Sequence, residues 1–286
     1  MSTAGAQRPR FMVALALSLS GCSDKGALIV HAQGSIARTQ HELLFAATAI
    51  MLVVVVPVII LAIVFAWRYR ASNPHARYEP GGGSSRAVHV AVWSIPALVV
   101  AALGAAVWIY THRLDPYRPL ASNQSALQIE VVAQDWKWLF IYPGQNIAAV
   151  NELALPVGRP VTLKLTSDTV MNSFFIPALA GQIYAMAGMQ TQLNVIADAP
   201  GRLTGRNAQY SGAGFSEQTF TTRLLAPHEF DAWVHSVTLS PQRLDDQTYA
   251  ALAQPSTHHP IVHYSWVKPD LFRGIVEAHA PARGRH

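Results

Sequence analysis

The chain has 286 residues, 51% hydrophobic and 13% charged, with a net charge of +5. That excess is not spread evenly: from Arg113 onward thirteen Lys/Arg face thirteen Asp/Glu, so it lies in the first 112 residues. No soluble face carries the clustered basic side chains that nucleic acid requires, and the single cysteine, Cys22, rules out a disulfide within the chain.

Arg8 and Arg10 precede an uncharged stretch from Phe11 to Gly21, and Cys22 follows directly. A basic start, a short apolar run and small residues at its end read as a secretory signal. The run is too short to cross a bilayer, which takes about 20 residues. Leu19-Ser20-Gly21-Cys22 resembles a bacterial lipobox, which would make Cys22 the lipidated first residue of a mature chain, with 1–21 as leader and 22–42 as an outer segment. The alternative is a free thiol in a leftover signal peptide.

Leu43 to Trp67 and Ala87 to Tyr110 follow, 25 and 24 residues without Asp, Glu, Lys or Arg. Both are long enough to span a membrane and neither has a recurring polar face. Pro57 and Pro96 are tolerable in such helices, and Trp67, Tyr69, Trp108 and Tyr110 sit where amphipathic rings favour the interface. The loop 68–86 carries Arg68, Arg70, Arg77 and Arg86 against Glu79 alone, which predicts a cytoplasmic loop in a hairpin over 43–112, with both chain ends outside.

After Pro116 and Pro119 short alternating segments begin: Leu127–Val131, Val161–Leu165, Gln192–Ile196 and Thr219–Leu225. Punctuated by Pro143-Gly144, Pro156-Val157-Gly158 and Pro200-Gly201, they predict an antiparallel β-sandwich over 125–240. Trp136 and Trp138 read as core aromatics alternating along a strand, with Lys137 outward. From Pro227, the spacing of Phe230, Trp233, Val234 and Val237 predicts an amphipathic helix. Ser240-Pro241 reads as the start of another. The histidine-rich tail from Ala253 to His286, with His258, His259, His263 and His279, is expected to pack loosely.

These parts together resemble subunit II of the haem–copper terminal oxidases, in its quinol-oxidizing, cytochrome bo3-type branch. The residues that carry the resemblance are Phe65-Ala66-Trp67-Arg68-Tyr69-Arg70, Asp135-Trp136-Lys137-Trp138-Leu139-Phe140, Val170-Met171-Asn172-Ser173-Phe174-Phe175-Ile176-Pro177, Gln182 to Met189, Tyr210-Ser211-Gly212 and Lys268-Pro269-Asp270-Leu271-Phe272. The resemblance implies a cupredoxin-like fold for the outer sandwich. It also implies that haem, copper and most of the quinol site belong to a partner, subunit I, with subunits III and IV alongside, in a bacterial inner membrane.

In the cytochrome c-oxidizing branch the outer domain holds a two-copper centre. The resemblance places Asn172 and Ala213 at vacated positions of that centre. Tyr210 to Phe220 contains no Cys, His or Met, and soft thiolates are what such a centre needs. No metal is therefore expected in this chain, and Met171, Met186 and Met189 read as core or loop packing. The balanced charge offers no field for a basic cytochrome c. Related subunits often carry a glutamate four residues before Trp93-Ser94-Ile95-Pro96, associated with proton entry. Here that position is His89, an ionisable group at a membrane edge. The reading is an accessory subunit of a proton-translocating quinol:oxygen oxidoreductase with no catalytic residue of its own. The alternatives are a copper-bearing cytochrome c oxidase subunit II and a non-enzymatic periplasmic lipoprotein scaffold.

Overall fold

A computed structural model describes residues 32–75, 85–120, 122 and 124–280, so Cys22 lies outside the described residues. The chain divides into two compact units, Thr39–Arg118 and the remainder.

The first unit is built on two long helices, α1 (Ser35–Arg68) and α2 (Arg86–Arg113), each with one internal proline, Pro57 and Pro96. Ser85 caps α2, its hydroxyl accepting from Val88 N at 3.3 Å. Both helices are long and apolar enough to cross a membrane, and their apolar side chains are exposed along the lengths that would do so. In water such surface would be costly; against lipid or partner helices it is not.

The second unit is a β-sandwich. Its strands are β1 (Leu127–Gln134), β2 (Lys137–Tyr142), β3 (Ile147–Val150), β4 (Glu152–Pro156), β5 (Val161–Ser167), β6 (Asn172–Ile176), β7 (Ala180–Ala185), β8 (Thr191–Val195), β9 (Gly201–Asn207), β10 (Thr219–Leu225) and β11 (Val262–Tyr264). One sheet runs β11-β3-β2-β1-β5-β8 and the other β4-β10-β9-β6-β7. The expected antiparallel sandwich is corrected to a mixed one, because β1 pairs with β5 and β10 with β4 in parallel.

Between the sheets Ile129, Val131, Trp138, Phe140, Leu153, Leu163, Phe174 and Phe220 form the main core. Phe220 stacks on Phe174 at 5.1 Å and meets Trp138 at 5.7 Å and Phe140 at 5.1 Å. Its ring lies across Gly205, the residue opposite in β9, where a Cβ would collide with it. Gln33 and Arg38 belong to this unit: Gln33 N donates to Ala178 O at 2.7 Å, and Arg38 pairs with Asp198 at 2.7 Å.

Three helices follow the sandwich: α3 (Pro227–Thr238), α4 (Asp246–Leu252) and α5 (Leu271–Ala278). α3 buries Phe230, Trp233 and Val237, as their spacing predicts. Ser240 does not cap a helix. Its hydroxyl donates to His263 O at 2.6 Å, and the cap of α4 is Asp245, which accepts from Thr248 N at 2.8 Å. The tail is not loose either. β11 adds to the edge of the six-stranded sheet through Val262↔Val150 and Tyr264↔Ala148, while Leu271, Phe272 and Ile275 of α5 join a second core. That core covers the outward face of the same sheet, burying Val132, Leu139 and Ile141.

Trp138 is a core aromatic on β2 as expected, but the readings of Trp136 and Lys137 are corrected. Trp136 is not on a strand: with φ +64 it occupies the two-residue turn between β1 and β2, and its Nε1 donates to Ser211 O at 3.1 Å. Lys137 is not outward. It is fully buried, and its ammonium donates to Gln254 O at 2.7 Å and Ser256 Oγ at 2.9 Å, anchoring the start of the tail. Burial pulls its pKa below the ordinary lysine value, with the nearby Asp135 opposing.

Candidate functional site: a buried amide cluster in the sandwich

The ends of β1, β5, β6 and β9 and the residue before β10 converge on a buried polar cluster. Asn172, at the first position of β6, is fully buried. Its Nδ2 donates to Val170 O at 2.8 Å and Ser167 Oγ at 3.3 Å. Its Oδ1 accepts from Asn207 Nδ2 at 2.7 Å and Gln218 Nε2 at 3.0 Å. Gln218, also fully buried, donates further to Gln134 O at 3.2 Å and accepts from Asn207 Nδ2 at 2.8 Å and Ser211 Oγ at 2.9 Å. Asn207 Oδ1 closes the circuit by accepting from the backbone N–H of Ser173 at 2.8 Å.

Each of these carboxamides therefore has partners on both its oxygen and its nitrogen, which is what a buried amide needs to avoid a desolvation cost. The donor set does not suit copper. Carboxamides and hydroxyls lack the soft sulfur and imidazole that such a centre uses. Among the described residues no group of three or more His, Cys, Asp or Glu is placed to hold a metal ion.

The sequence identifies Asn172 but not its partners. Asn207 and Ser211 are short polar residues near a strand end, where they read as turn formers, and Gln218 stands out by no pattern. Ala213, the other expected position, is exposed in the loop and takes no part in the cluster. Of the three methionines, Met171 and Met189 are 40% and 52% exposed and Met186 is half-buried, so they are loop residues, not core. His89 sits in the first turn of α2, where its backbone N–H donates to Ser85 O at 3.2 Å. It is remote in sequence from the amide cluster and belongs to the other unit.

Residues 98–222 match the family model described as "Cytochrome C oxidase subunit II, periplasmic domain", and residues 239–278 match the "COX Aromatic Rich Motif". Among curated proteins the chain is 50% identical over 261 residues to the cytochrome bo(3) ubiquinol oxidase subunit 2 of Pseudomonas putida, covering 91% of this chain and 82% of that one. The chain belongs to the subunit II family of quinol oxidases. It is also 46% identical to the ubiquinol oxidase subunit 2 of Acetobacter aceti, covering 91% of this chain and 84% of that protein. With the Pseudomonas aeruginosa cytochrome bo(3) subunit it shares 44% identity, over 95% of this chain and 82% of that one.

Family membership gives the aromatic-rich tail a place in the architecture. The region matched by that motif holds α4, β11 and α5, the layer that buries the second face of the sheet. A cupredoxin-like sandwich, two membrane-capable helices and this layer together make an inner-membrane subunit of a multi-subunit haem–copper oxidase.

Proposed function

We propose that this chain is the accessory subunit of a proton-translocating quinol:oxygen oxidoreductase, serving as a rigid outer cap and a membrane hairpin. The observation that supports the reading is the buried amide cluster around Asn172, whose carboxamides are paired with one another and offer no soft ligand. A subunit built this way does not relay electrons from a soluble cytochrome, so electrons enter the complex from quinol within the membrane. Haem, copper and oxygen reduction then belong to subunit I, packed with subunits III and IV. The arginine-rich loop 68–86 faces the cytoplasm and the sandwich the periplasm, by the bias of basic residues toward the inner side. Cys22 is a lipidation site on the same outer side, an anchor that two spans already make redundant.

The test is to purify the complex through a tag on this chain. A haem-containing assembly that oxidises quinol, and that a soluble cytochrome c does not reduce rapidly, is the expected result. A haem-free preparation would leave the scaffold alternative standing. Rapid reduction by cytochrome c would favour the copper-bearing one.

His89 is the proposed entrance of a proton path, since imidazole both takes up and releases protons near neutral pH. His89→Ala and His89→Leu, neither of which titrates, are expected to slow steady-state quinol oxidation several-fold. Equal turnover and equal proton release in both variants would remove that role.

A further inference from the structure

The tail and the sandwich are joined by an unusual set of ion pairs. His263 of β11 donates from Nε2 to Glu152 Oε2 of β4 at 2.8 Å. His279, which ends α5, lies 3.8 Å from Asp168 in the β5–β6 connection. His258, in the segment leading to β11, lies 3.5 Å from Glu217, beside the start of β10. Among the described residues, every ion pair between 253–280 and the sandwich has a histidine as its cation. The lysine and arginine of this stretch turn elsewhere: Lys268 pairs with Asp246 of α4, and Arg273 with its own neighbour Asp270.

We propose that residues 253–280 form a strap whose grip on the sandwich tightens as the outer medium acidifies, through these three carboxylate–histidine pairs. A pair of this kind is an attraction between full charges only while the imidazole is protonated, and imidazoles change charge between about pH 5 and pH 8. Carboxylates stay ionised over that range, so the attraction grows as pH falls toward about 5 and fades above about 7.

Each carboxylate also has other partners. Glu152 also accepts from Trp233 Nε1 at 2.9 Å and lies 3.6 Å from Arg223. Asp168 accepts from the Tyr249 hydroxyl of α4 at 2.6 Å, and the His279 ring also meets Ile275 O at 3.1 Å. Glu217 also accepts from the Ser216 hydroxyl at 3.4 Å, and the His258 side chain is 74% exposed, so that pair adds least. Other polar ties are not ion pairs: Lys137 holds Gln254 and Ser256 by hydrogen bonds, and Asn151 Nδ2 donates to His259 O at 2.8 Å.

The geometry also shows why loosening would be felt. β11 has only three residues, and its hydrogen bonds to β3 are few. α5 is eight residues long and holds by Leu271, Phe272 and Ile275. Gly188, at φ +72, lets the loop after β7 lie directly against the backbone of His279, so a shift there reaches the loops around the amide cluster. That this surface meets acid when the enzyme turns over rests on the orientation proposed above, whereas the clamp itself does not.

Hydrogen–deuterium exchange of the solubilised complex, with the full chain, tests the clamp alone. The comparison is wild type against the triple variant H258Q/H263Q/H279Q at the same pH, so intrinsic exchange rates cancel, and glutamine keeps a neutral donor. At about pH 6 the amides of 262–264 and 271–278 should exchange roughly five- to tenfold faster in the variant, and at about pH 8 within roughly twofold. An equal ratio at both pH values would overturn the proposal. Should the triple variant fail to assemble, D168N gives the same reading for 271–278, since asparagine still accepts from Tyr249 but cannot attract an imidazolium. Sidedness is measured apart, by protease access in oriented vesicles, so loss of the orientation and loss of the clamp give different results.

Discussion

Glu152→Ala should destabilise the outer domain by about 3 kcal/mol, read as a lower unfolding midpoint in denaturant at neutral pH. The carboxylate is nearly buried, at 6% exposure, and joins four elements: β4 by its backbone, α3 through Trp233, β11 through His263 and β10 through Arg223. Removing it strands the indole N–H in the core and leaves the His263 donor facing an empty space. Glu152→Gln keeps an acceptor for Trp233 and should cost less than half as much. A loss under about 1 kcal/mol for the alanine variant would show that the hub is solvated well enough to be dispensable.

The same group sets a pH dependence. Burial alone would raise its pKa, but hydrogen bonds from His263 and Trp233, with the charges of His263 and Arg223, outweigh burial and hold it below its ordinary value of 4.5. A carboxyl depressed on folding contributes stability that is complete above its unfolded pKa and is lost as pH falls through the folded one. Wild-type stability should therefore decline below about pH 4.5 more steeply than that of Glu152→Ala, which lacks this contribution. Parallel declines would count against the assignment.

Gln218→Ala comes next, at about 2–3 kcal/mol. The lost carboxamide leaves Gln134 O and the Ser211 hydroxyl without this partner and takes one of two donors from Asn172 Oδ1. Gln218→Glu is close to isosteric, yet an ionised carboxylate cannot donate to Asn172 Oδ1 or Gln134 O, and it places a charge in a fully buried position. It should cost at least as much at neutral pH, and recover in part as the medium is acidified toward protonation of the new carboxyl. Thermal unfolding of both variants decides it. A cluster that tolerates either change would be loosely packed filler rather than a satisfied network.

Much of this fold is legible in the order of its residues. β1, β5, β8 and β10 announce themselves because apolar and polar residues alternate, and α3 because Phe230, Trp233 and Val237 recur at helical spacing. The outward Lys137 and the loose tail fail for one physical cause. Alternation assumes that one sheet face meets water, whereas the tail covers the second face of the six-stranded sheet, and Lys137 is buried there. That cover is hard to foresee, since β11 is three residues long and pairs with a strand over a hundred residues earlier. Trp136 misleads for a different reason: bulky residues rarely adopt positive φ, so a tryptophan at the turn position is disguised as strand. The site is half legible. The missing thiols show what the chain lacks, but only the fold shows that Asn207 and Gln218, eleven residues apart, meet at Asn172.

The place of β11 at the rim of its sheet bears on how the protein is made. Until Val262–Tyr264 has left the ribosome, β3 presents an open row of amide and carbonyl groups, the kind of border that captures strands from other chains. A strand synthesised more than a hundred residues after its partner is thus the one that closes this edge. A product cut short after α4 would face aggregation or a waiting chaperone before it faced assembly.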